Sequence, residues 1–425
     1  MTPSKKPTLR WLPLDNAAKI YPAARRKNWS NVFRLSVTLQ EAVDPAVLSS
    51  AVEVTAKRFP SMVVRLRRGL FWYYLQQLGD TPKLGQEYSY PLIPMGKQET
   101  RRCALRIIPH ENRIAVEFFH SVTDGNGALV FLKTLTAEYL QQKYGACIPA
   151  ELGILDRQAE PDPEELEDSF LKYAGAMPAS RQEKNAWKPT GTQDRFLHVT
   201  CFRLPVQSVL EQAHRNGVSL TGFLAAVMLD ALQDLQAQKE PVLRRRKALK
   251  VLIPVDLRRL FPSRTLRNFA MYTTPELLPR LGHYEFPEIC KVVRSNMEVN
   301  ITAKQMSRVI ATNVSDEQLL AVRVIPLFLK NLVMRAVFDT VGERKSCLSL
   351  SNLGQVRLPE EMIPYIRRMD FILGVQAASP YNCGVLSWQD TVYINFIRNI
   401  REPLLEQAFF EALRRQGIRA AVESN

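Results

Sequence analysis

The stretch FFHSVTDG, residues 118–125, decides the fold of this chain. It closes a run from Arg113 to Phe119 in which apolar residues alternate, a pattern typical of a strand with one buried face. The same period of two puts His120 on that face, where the strand ends. Asp124 and Gly125 then begin a helix, because Asp is a favoured N-cap residue. A histidine at a strand end with a carboxylate four residues later predicts a general base held in a turn.

The same residues also have a purely structural interpretation. Asp124 is a good helix cap, and the glycines at 125 and 127 are ordinary turn residues. His120 is then a hydrogen-bonded histidine of the core, which is a common fate for a single histidine. From local spacing alone, both interpretations stay open.

The pattern His-x-x-x-Asp-Gly after a strand, in a chain of 425 residues, resembles the acyltransferase superfamily with the chloramphenicol-acetyltransferase-like fold. Its members include alcohol acetyltransferases, wax-ester synthases, plant acyltransferases and the condensation domains of peptide synthetases. The resemblance implies an α/β fold with mixed sheets, built from two half-domains with a tunnel at their interface. It also implies that His120 is the catalytic base and that Asp124 and Gly125 shape its loop.

Two further stretches extend the resemblance. A strand from Val251 runs into the basic turn at Arg258 and Arg259, and in the family an Arg from this strand pairs with the motif Asp. We carry this role over to Arg258, with Arg259 as its competitor. The run 351–354, Ser-Asn-Leu-Gly, resembles a turn of bacterial alcohol acetyltransferases, the members most similar to this chain. Asn352 is expected either to present a donor to the site or to hold that turn.

One departure concerns Phe119. Condensation domains and wax-ester synthases usually carry two adjacent histidines, of which the second is catalytic, whereas Phe119 stands in the first place here. The departure argues against peptide-bond formation and predicts a more apolar pocket.

Composition sets the class of protein. Hydrophobic content of 46% and charged content of 23% are those of a globular chain. The net charge of +15 predicts an anionic partner, such as coenzyme A, an acidic carrier protein or an anionic lipid. No aromatic RNA-binding signature or zinc-finger spacing supports nucleic acid.

Cysteine spacing and hydropathy give the remaining expectations. The six cysteines form no CxxC pair, which predicts no metal site and a reducing compartment. No apolar run reaches the length of a membrane span. We therefore expect a cytoplasmic monomer with no bound cofactor, using acyl-CoA as co-substrate, with peripheral membrane contact as a further option.

The chain divides at a stretch without periodicity. Residues 1–150 are the predicted N-terminal half-domain, which carries the motif, and residues 195–425 the C-terminal one. Between them, residues 151–194 include an acidic, proline-rich segment at 160–165 and read as a crossover linker. In the second half, residues 324–341 form an apolar helix interrupted by Lys330 and Arg335. We expect it to pack in the core with its cations reaching solvent; an acyl channel or a membrane contact are the alternatives.

These patterns predict an acyltransferase that moves an acyl group from a thioester to a hydroxyl acceptor, which is a small molecule or a lipid. The absence of a Gly-x-Ser-x-Gly elbow disfavours a hydrolase with a covalent serine intermediate. A condensation-like enzyme or binding module that takes acyl groups from a carrier protein is the first alternative. A scaffold that kept the fold without activity is the second, because fold alone does not establish function.

Overall fold

The computed structural model describes residues 10–23, 25, 31–175, 186–318, 325–340, 345–375 and 379–425. Within these ranges the strands are β1 (Trp11–Pro13), β2 (Val32–Leu39), β3 (Val64–Arg68), β4 (Tyr73–Gln77), β5 (Leu105–His110), β6 (Arg113–Phe119), β7 (Gln193–Pro205), β8 (Leu249–Asp256), β9 (Ala270–Thr273), β10 (Glu276–Leu277), β11 (Leu348–Val356), β12 (Ile366–Ile372), β13 (Tyr381–Trp388), β14 (Thr391–Ile400) and β15 (Ala421–Ser424).

The α-helices in the same ranges are α1 (Ile20–Ala23), α2 (Pro45–Arg58), α3 (Lys97–Thr100), α4 (Gly125–Tyr144), α5 (Ser169–Tyr173), α6 (Val206–Arg215), α7 (Leu220–Lys239), α8 (Phe286–Asn300), α9 (Ala303–Gln318), α10 (Leu327–Thr340) and α11 (Leu404–Arg415). Helices and strands alternate along the chain, and the sheets combine parallel with antiparallel pairs. The predicted mixed α/β fold is confirmed.

A four-stranded antiparallel sheet of order β12-β2-β6-β5 delivers the motif loop. Helix α4 packs on strands β2 and β6 of this sheet, and α2 packs against α4. Asp44 is the N-cap of α2, since its carboxylate accepts from the backbone N–H groups of Ala46 and Val47. The hairpin β5–β6 ends at Phe119, so His120 emerges at the edge where the strand stops.

A larger, eight-stranded sheet has the order β10-β8-β11-β13-β14-β7-β15, with β9 paired to β8. Strand β11 lies parallel to both β8 and β13, and the other pairs are antiparallel. Helix α7 packs on this sheet with α8 and α11. Its N-cap is Ser219, whose hydroxyl accepts from the N–H of Gly222 at 3.1 Å.

The two sheets are joined by a strand exchange. Strand β12, from the C-terminal part of the chain, pairs with β2 of the four-stranded sheet. The hydrophobic core of that sheet consequently continues into Leu386, Trp388 and Ile397 of the larger one. The division into half-domains at residues 1–150 and 195–425 stays a prediction. Strand β12 belongs to the second range but lies in the sheet formed by strands of the first.

The acidic part of the crossover segment is docked against the fold. Glu165 is buried and accepts two hydrogen bonds from the guanidinium of Arg58, at 2.6 and 2.7 Å. The backbone of the same segment accepts from Arg267 and Thr265 of the C-terminal part. Residues 176–185 of the predicted linker lie outside the described residues.

Two segments depart from regular strand structure. Residues 70–72 form a turn before β4. Asn352 to Gly354 lie inside β11 at an irregularity of its pairing with β13, and not in a turn that follows a strand. Gly354 supports this local distortion because its φ of +78° is costly for other residues.

The expectation of a core-packed helix at 324–341 is wrong for the described part, α10. Its apolar side chains at 328, 329, 332 and 333 are exposed, whereas Lys330 is only 4% exposed. The physical reason is that the helix lies at the surface and turns its lysine inward, where the ammonium donates to the carbonyl of Phe71 at 3.0 Å. Residues 324 and 341 lie outside the described residues.

No single helix in the described ranges is long and apolar enough to cross a membrane; α6 and α7 pass that test only as a pair bent by 82°.

Candidate active site

His120 lies at the end of β6 with its ring held between aromatic side chains. The backbone N–H of His120 donates to the carbonyl of Asn31 at 2.9 Å, which ties the loop to the start of β2. The imidazole stacks on Tyr21, with ring centroids 4.5 Å apart, and lies 4.9 Å from the ring of Phe33. These contacts leave the ring few orientations, and it lines a cavity of about 1320 Å³.

A chain of polar contacts determines which ring nitrogen of His120 carries the hydrogen. His120 Nδ1 lies 3.2 Å from Asn268 Oδ1, and Asn268 Nδ2 donates to Asp15 Oδ2 at 3.2 Å. Because a carboxylate only accepts, Asp15 orients the amide of Asn268 with its oxygen toward the imidazole. Nδ1 therefore carries the hydrogen, and Nε2 keeps the lone pair that a base needs.

The surroundings of His120 favour its neutral form. Burial lowers the pKa of the imidazole from its ordinary value of 6.5, and the smaller opposing influences of Asp124 and Asn268 do not compensate. At neutral pH the ring is thus uncharged and able to accept a proton.

Asp15, at the far end of these contacts, is fully buried. Burial raises the pKa of its carboxyl to about 6, although the guanidinium of Arg267 opposes this shift from 3.7 Å. Asp15 Oδ1 also accepts from the backbone N–H of Ala18 at 2.8 Å. Arg267, only 2% exposed, donates to the carbonyl of Pro13 at 2.5 Å and so holds the end of β1, two residues before Asp15.

Asp124 holds the loop that follows β6 through three hydrogen bonds to its carboxylate. Its Oδ1 accepts from the N–H of Gly127, which caps α4, and its Oδ2 accepts from the N–H of Phe269 at 2.8 Å. The same Oδ2 lies 2.9 Å from Nη1 of Arg258. With three donors on two oxygens, this carboxylate is suited to holding the loop and poorly suited to taking a proton.

The structure distinguishes Arg258 from its neighbour Arg259. Besides Asp124, the guanidinium of Arg258 donates to the carbonyls of Thr265 and Arg267, at 2.9 and 2.6 Å. It therefore organises the segment that presents Asn268. Arg259 instead lines the cavity, with its guanidinium next to Gly354.

Two buried hydroxyls anchor the loop between His120 and Asp124. Ser121 donates to the carbonyl of Ala18 at 2.9 Å, and Thr123 donates to the carbonyl of Leu266 at 2.6 Å. Thr123, Asp124 and His120 all contact the segment 266–269, so the motif loop is attached to the C-terminal part of the chain at several points.

Atoms of other residues approach both glycines in the first turn of α4 closely, so a side chain at either position would meet them. A Cβ at Gly125 would lie 2.8 Å from a terminal methyl of Leu353, which can move. A Cβ at Gly127 would lie 2.3 Å from the carbonyl oxygen of Leu266 and 2.2 Å from Thr123 Oγ1. The second contact involves backbone, so Gly127 carries the stronger steric demand, which the sequence analysis did not single out.

Asn352 lines the cavity and also holds β11. Its Oδ1 accepts from the N–H of Gly354 at 2.8 Å, and its Nδ2 donates to the hydroxyl of Thr221 at 2.9 Å. Both hydrogen bonds hold the local fold of β11. The amide nitrogen of Asn352 carries two hydrogens, and these bonds use only one of them.

The prediction that Phe119 makes the pocket more apolar is wrong. Phe119 is fully buried and packs under the guanidinium of Arg25, 4.7 Å from the ring centroid, and it does not contribute to the cavity wall. Successive residues of a strand point to opposite faces, so the residue before His120 is directed away from the cavity.

The cavity wall combines apolar and cationic side chains from both sheets. Phe33 and Phe371 lie near His120, and cationic side chains from the C-terminal part line other regions: Lys250, Arg259, Arg308 and Lys345. Among the described residues, no three His, Cys, Asp or Glu side chains cluster as metal ligands do.

The structure brings two residues to His120 that the sequence analysis did not single out, Asn268 and Asp15. The one local signal is a polar Asn between a buried Arg and a buried Phe, because such a residue needs hydrogen-bond partners.

No protein-family model matches the chain, and no curated protein matches it in sequence. Solved structures do match over nearly its whole length. One is polyketide synthase associated protein 5 from Mycobacterium tuberculosis, with a TM-score of 0.59 and 14% identity, covering 95% of this chain and 97% of that one. At this level of identity the likeness shows the fold alone.

Two further matches have the same character. TRI101 of F. graminearum, solved with coenzyme A and T-2 mycotoxin, has a TM-score of 0.65 and 11% identity, covering 97% of this chain and 99% of that one. The first condensation domain of the calcium-dependent antibiotic synthetase, solved with a substrate analogue, has a TM-score of 0.60 and 13% identity, covering 96% and 95%. The chain therefore has the fold shared by condensation domains and TRI101.

Proposed function

We propose that this protein transfers an acyl group from an acyl-thioester to a hydroxyl acceptor, with His120 as general base. The observation that carries the proposal is the position of the imidazole, which lies 3.2 Å from Asn268 Oδ1 and lines the cavity. Under this proposal Nδ1 donates to Asn268, and Nε2 is the unprotonated nitrogen. A cavity of about 1320 Å³ exceeds the ~300–1,000 Å³ of a typical single-ligand pocket and so suits two co-substrates.

In the proposed reaction, Nε2 of His120 removes the proton of the acceptor hydroxyl while its oxygen bonds to the thioester carbonyl carbon. The resulting tetrahedral intermediate carries a negative oxygen. Its collapse breaks the C–S bond, and the imidazolium returns the proton to the departing thiolate. The products are an ester and a free thiol.

Donors for the negative oxygen are available near the ring. Gly125 and Asn126 line the cavity at the first turn of α4, where backbone N–H groups have no partner within the helix. The second amide hydrogen of Asn352 is a further candidate. Such preorganised donors typically contribute a large share of catalysis in acyl transfer.

The cationic side chains of the cavity, together with the net charge of +15, support a phosphate-bearing donor such as acyl-CoA. Arg259 and Lys345 are two of these cations. Under this proposal Asp124 and Arg258 hold the loop, and residues 1–150 and 195–425 act as two half-domains around one site. We propose a cytoplasmic location for this chemistry.

The test is release of free thiol from acyl-CoA in the presence of a panel of alcohols. We expect His120→Ala to lower the rate by at least about two orders of magnitude, which is the usual contribution of a general base. His110→Ala is the matched control, because His110 is an exposed histidine on the same hairpin. An unchanged rate in His120→Ala would overturn the assignment. Turnover of an acyl-carrier protein without turnover of acyl-CoA would favour the condensation-like alternative.

A further inference from the structure

Helix α10 lies at the surface of the protein, but it exposes apolar side chains to solvent and turns a lysine toward the protein. Its solvent-facing side chains Phe328, Leu332 and Val333 are 61%, 67% and 59% exposed, and Leu329 is also exposed. Lys330, by contrast, faces the protein. Apolar residues are usually turned toward the core, so this orientation requires an explanation outside the folded chain.

The turn before β4 extends this apolar surface. Leu70 is 73% exposed and Phe71 is also exposed, although both follow a strand. The carbonyl of Leu70 accepts from the N–H of Leu327 at 2.9 Å, and that of Phe71 accepts from Lys330. The turn and the helix thus form one surface. We call it the apolar lip, and it consists of Leu70, Phe71, Phe328, Leu329, Leu332 and Val333.

The apolar lip borders the cavity that contains His120. Val333 belongs both to the lip and to the cavity wall, and Met334 and Trp72 line the cavity directly behind it. The ammonium of Lys330 lies 3.5 Å from the ring centroid of Trp72, so the helix of the lip contacts this residue of the cavity wall. A molecule that enters the cavity past Val333 must therefore cross the apolar lip.

Exposed arginines flank the apolar lip along the chain. Arg68 precedes the turn, Arg335 follows the lip residue Val333 on the helix, and both are exposed. Arg65 and Arg67 on β3 donate to the uncharged amide oxygen of Gln76. Exposed apolar side chains flanked by arginine, on a chain of net charge +15, match the chemistry of an anionic membrane surface.

We propose that the apolar lip docks on an anionic lipid bilayer and admits a membrane-dissolved hydroxyl acceptor to the cavity. Phe328, Leu332 and Leu70 enter the interfacial region, while the arginines contact lipid phosphates. The docking itself is independent of catalysis, and the delivery of an acceptor rests on the proposed acyl transfer. The acceptor class that follows is a lipid alcohol, because a water-soluble alcohol needs no such surface.

The experiment is co-flotation of the full chain with vesicles of pure phosphatidylcholine and of phosphatidylcholine containing phosphatidylglycerol. We expect binding to the anionic vesicles, weaker binding at high salt, and at least about a tenfold loss of affinity in Phe328→Ser/Leu332→Ser. Leu281→Ser/Val299→Ser is the matched control, since both residues are equally exposed but lie outside the lip.

The outcomes separate docking from chemistry. Failure of the wild-type chain to bind anionic vesicles overturns the proposal, whatever its activity. Equal losses in the lip and control variants overturn it too. So does self-association in sedimentation velocity that only the lip variant abolishes, because the lip is then a contact between copies. If the function is as proposed, the lip variant keeps its rate with a short soluble alcohol and loses it with an alcohol dissolved in vesicles.

Discussion

His120 Nδ1 and Asn268 Oδ1 lie 3.2 Å apart, although the two residues are separated by 148 positions in the sequence. The contact joins the motif loop to the segment that Arg258 organises. It also decides the tautomer of the imidazole, because the amide of Asn268 is itself oriented by Asp15. The base proposed at this site therefore depends on a residue from the other part of the chain.

The first prediction concerns Asn268→Ala. Without the amide oxygen, Nδ1 loses its acceptor and the ring can carry its hydrogen on Nε2, so we expect kcat to fall roughly 10–100-fold, as for other residues that orient a functional histidine. Steady-state kinetics test this. A residue with only a structural role would lower Tm and leave kcat per folded molecule unchanged, so kcat that is preserved in the folded variant contradicts the prediction.

The second prediction concerns the two adjacent arginines. Arg258→Ala leaves Asp124 buried without its cation, and losing one partner of such a pair costs about 3–5 kcal/mol of unfolding free energy. Arg259→Ala is the matched control, because Arg259 lines the cavity and we expect it to change stability little. Urea unfolding measures both. Equal destabilisation by the two substitutions would show that the pair does not hold the loop.

The third prediction compares two glycines. Gly127→Ala places a Cβ against the carbonyl oxygen of Leu266, and we expect a loss of about 1–3 kcal/mol or more from this overpacking. A Cβ at Gly96 meets nothing within 4 Å, so Gly96→Ala serves as the control. The measurement is chemical denaturation followed by circular dichroism. A Gly127→Ala protein as stable as the control would mean that the α4 N-terminus is not so closely packed.

The fourth prediction is the pH dependence of kcat/KM. Burial lowers the pKa of His120, and only the neutral ring is a base, so activity should be lost as pH falls through a value below 6.5. Above that value the profile should stay level through neutral pH. Asp15, with its pKa raised to about 6, titrates in the same region, and Asp15→Asn removes its contribution. An acid limb centred above 6.5 in both proteins would contradict a buried neutral histidine.

Local sequence patterns predicted the strand before His120 and the helix after it. The alternation of 113–119 predicted β6 with its observed bounds, and Asp124 caps the following helix as expected. These features depend on neighbours within a few residues, so the sequence contains the whole physical cause. The orientation of α10 and the irregular part of β11 differ from the expectation because they depend on partners elsewhere in the chain.

By itself, the sequence determined that a strand ends in a histidine and that Asp124 caps the following helix, while the mixed sheets were implied by the family resemblance. Only the tertiary structure decided that Arg258 rather than Arg259 contacts Asp124, that Asn268 and Asp15 hold the imidazole, and that α10 turns its apolar face outward. The physical reason is how far apart in the sequence the interacting residues lie. Caps and alternation arise between residues adjacent in the chain, whereas ion pairs, relays and exposure depend on which distant surfaces the fold brings together.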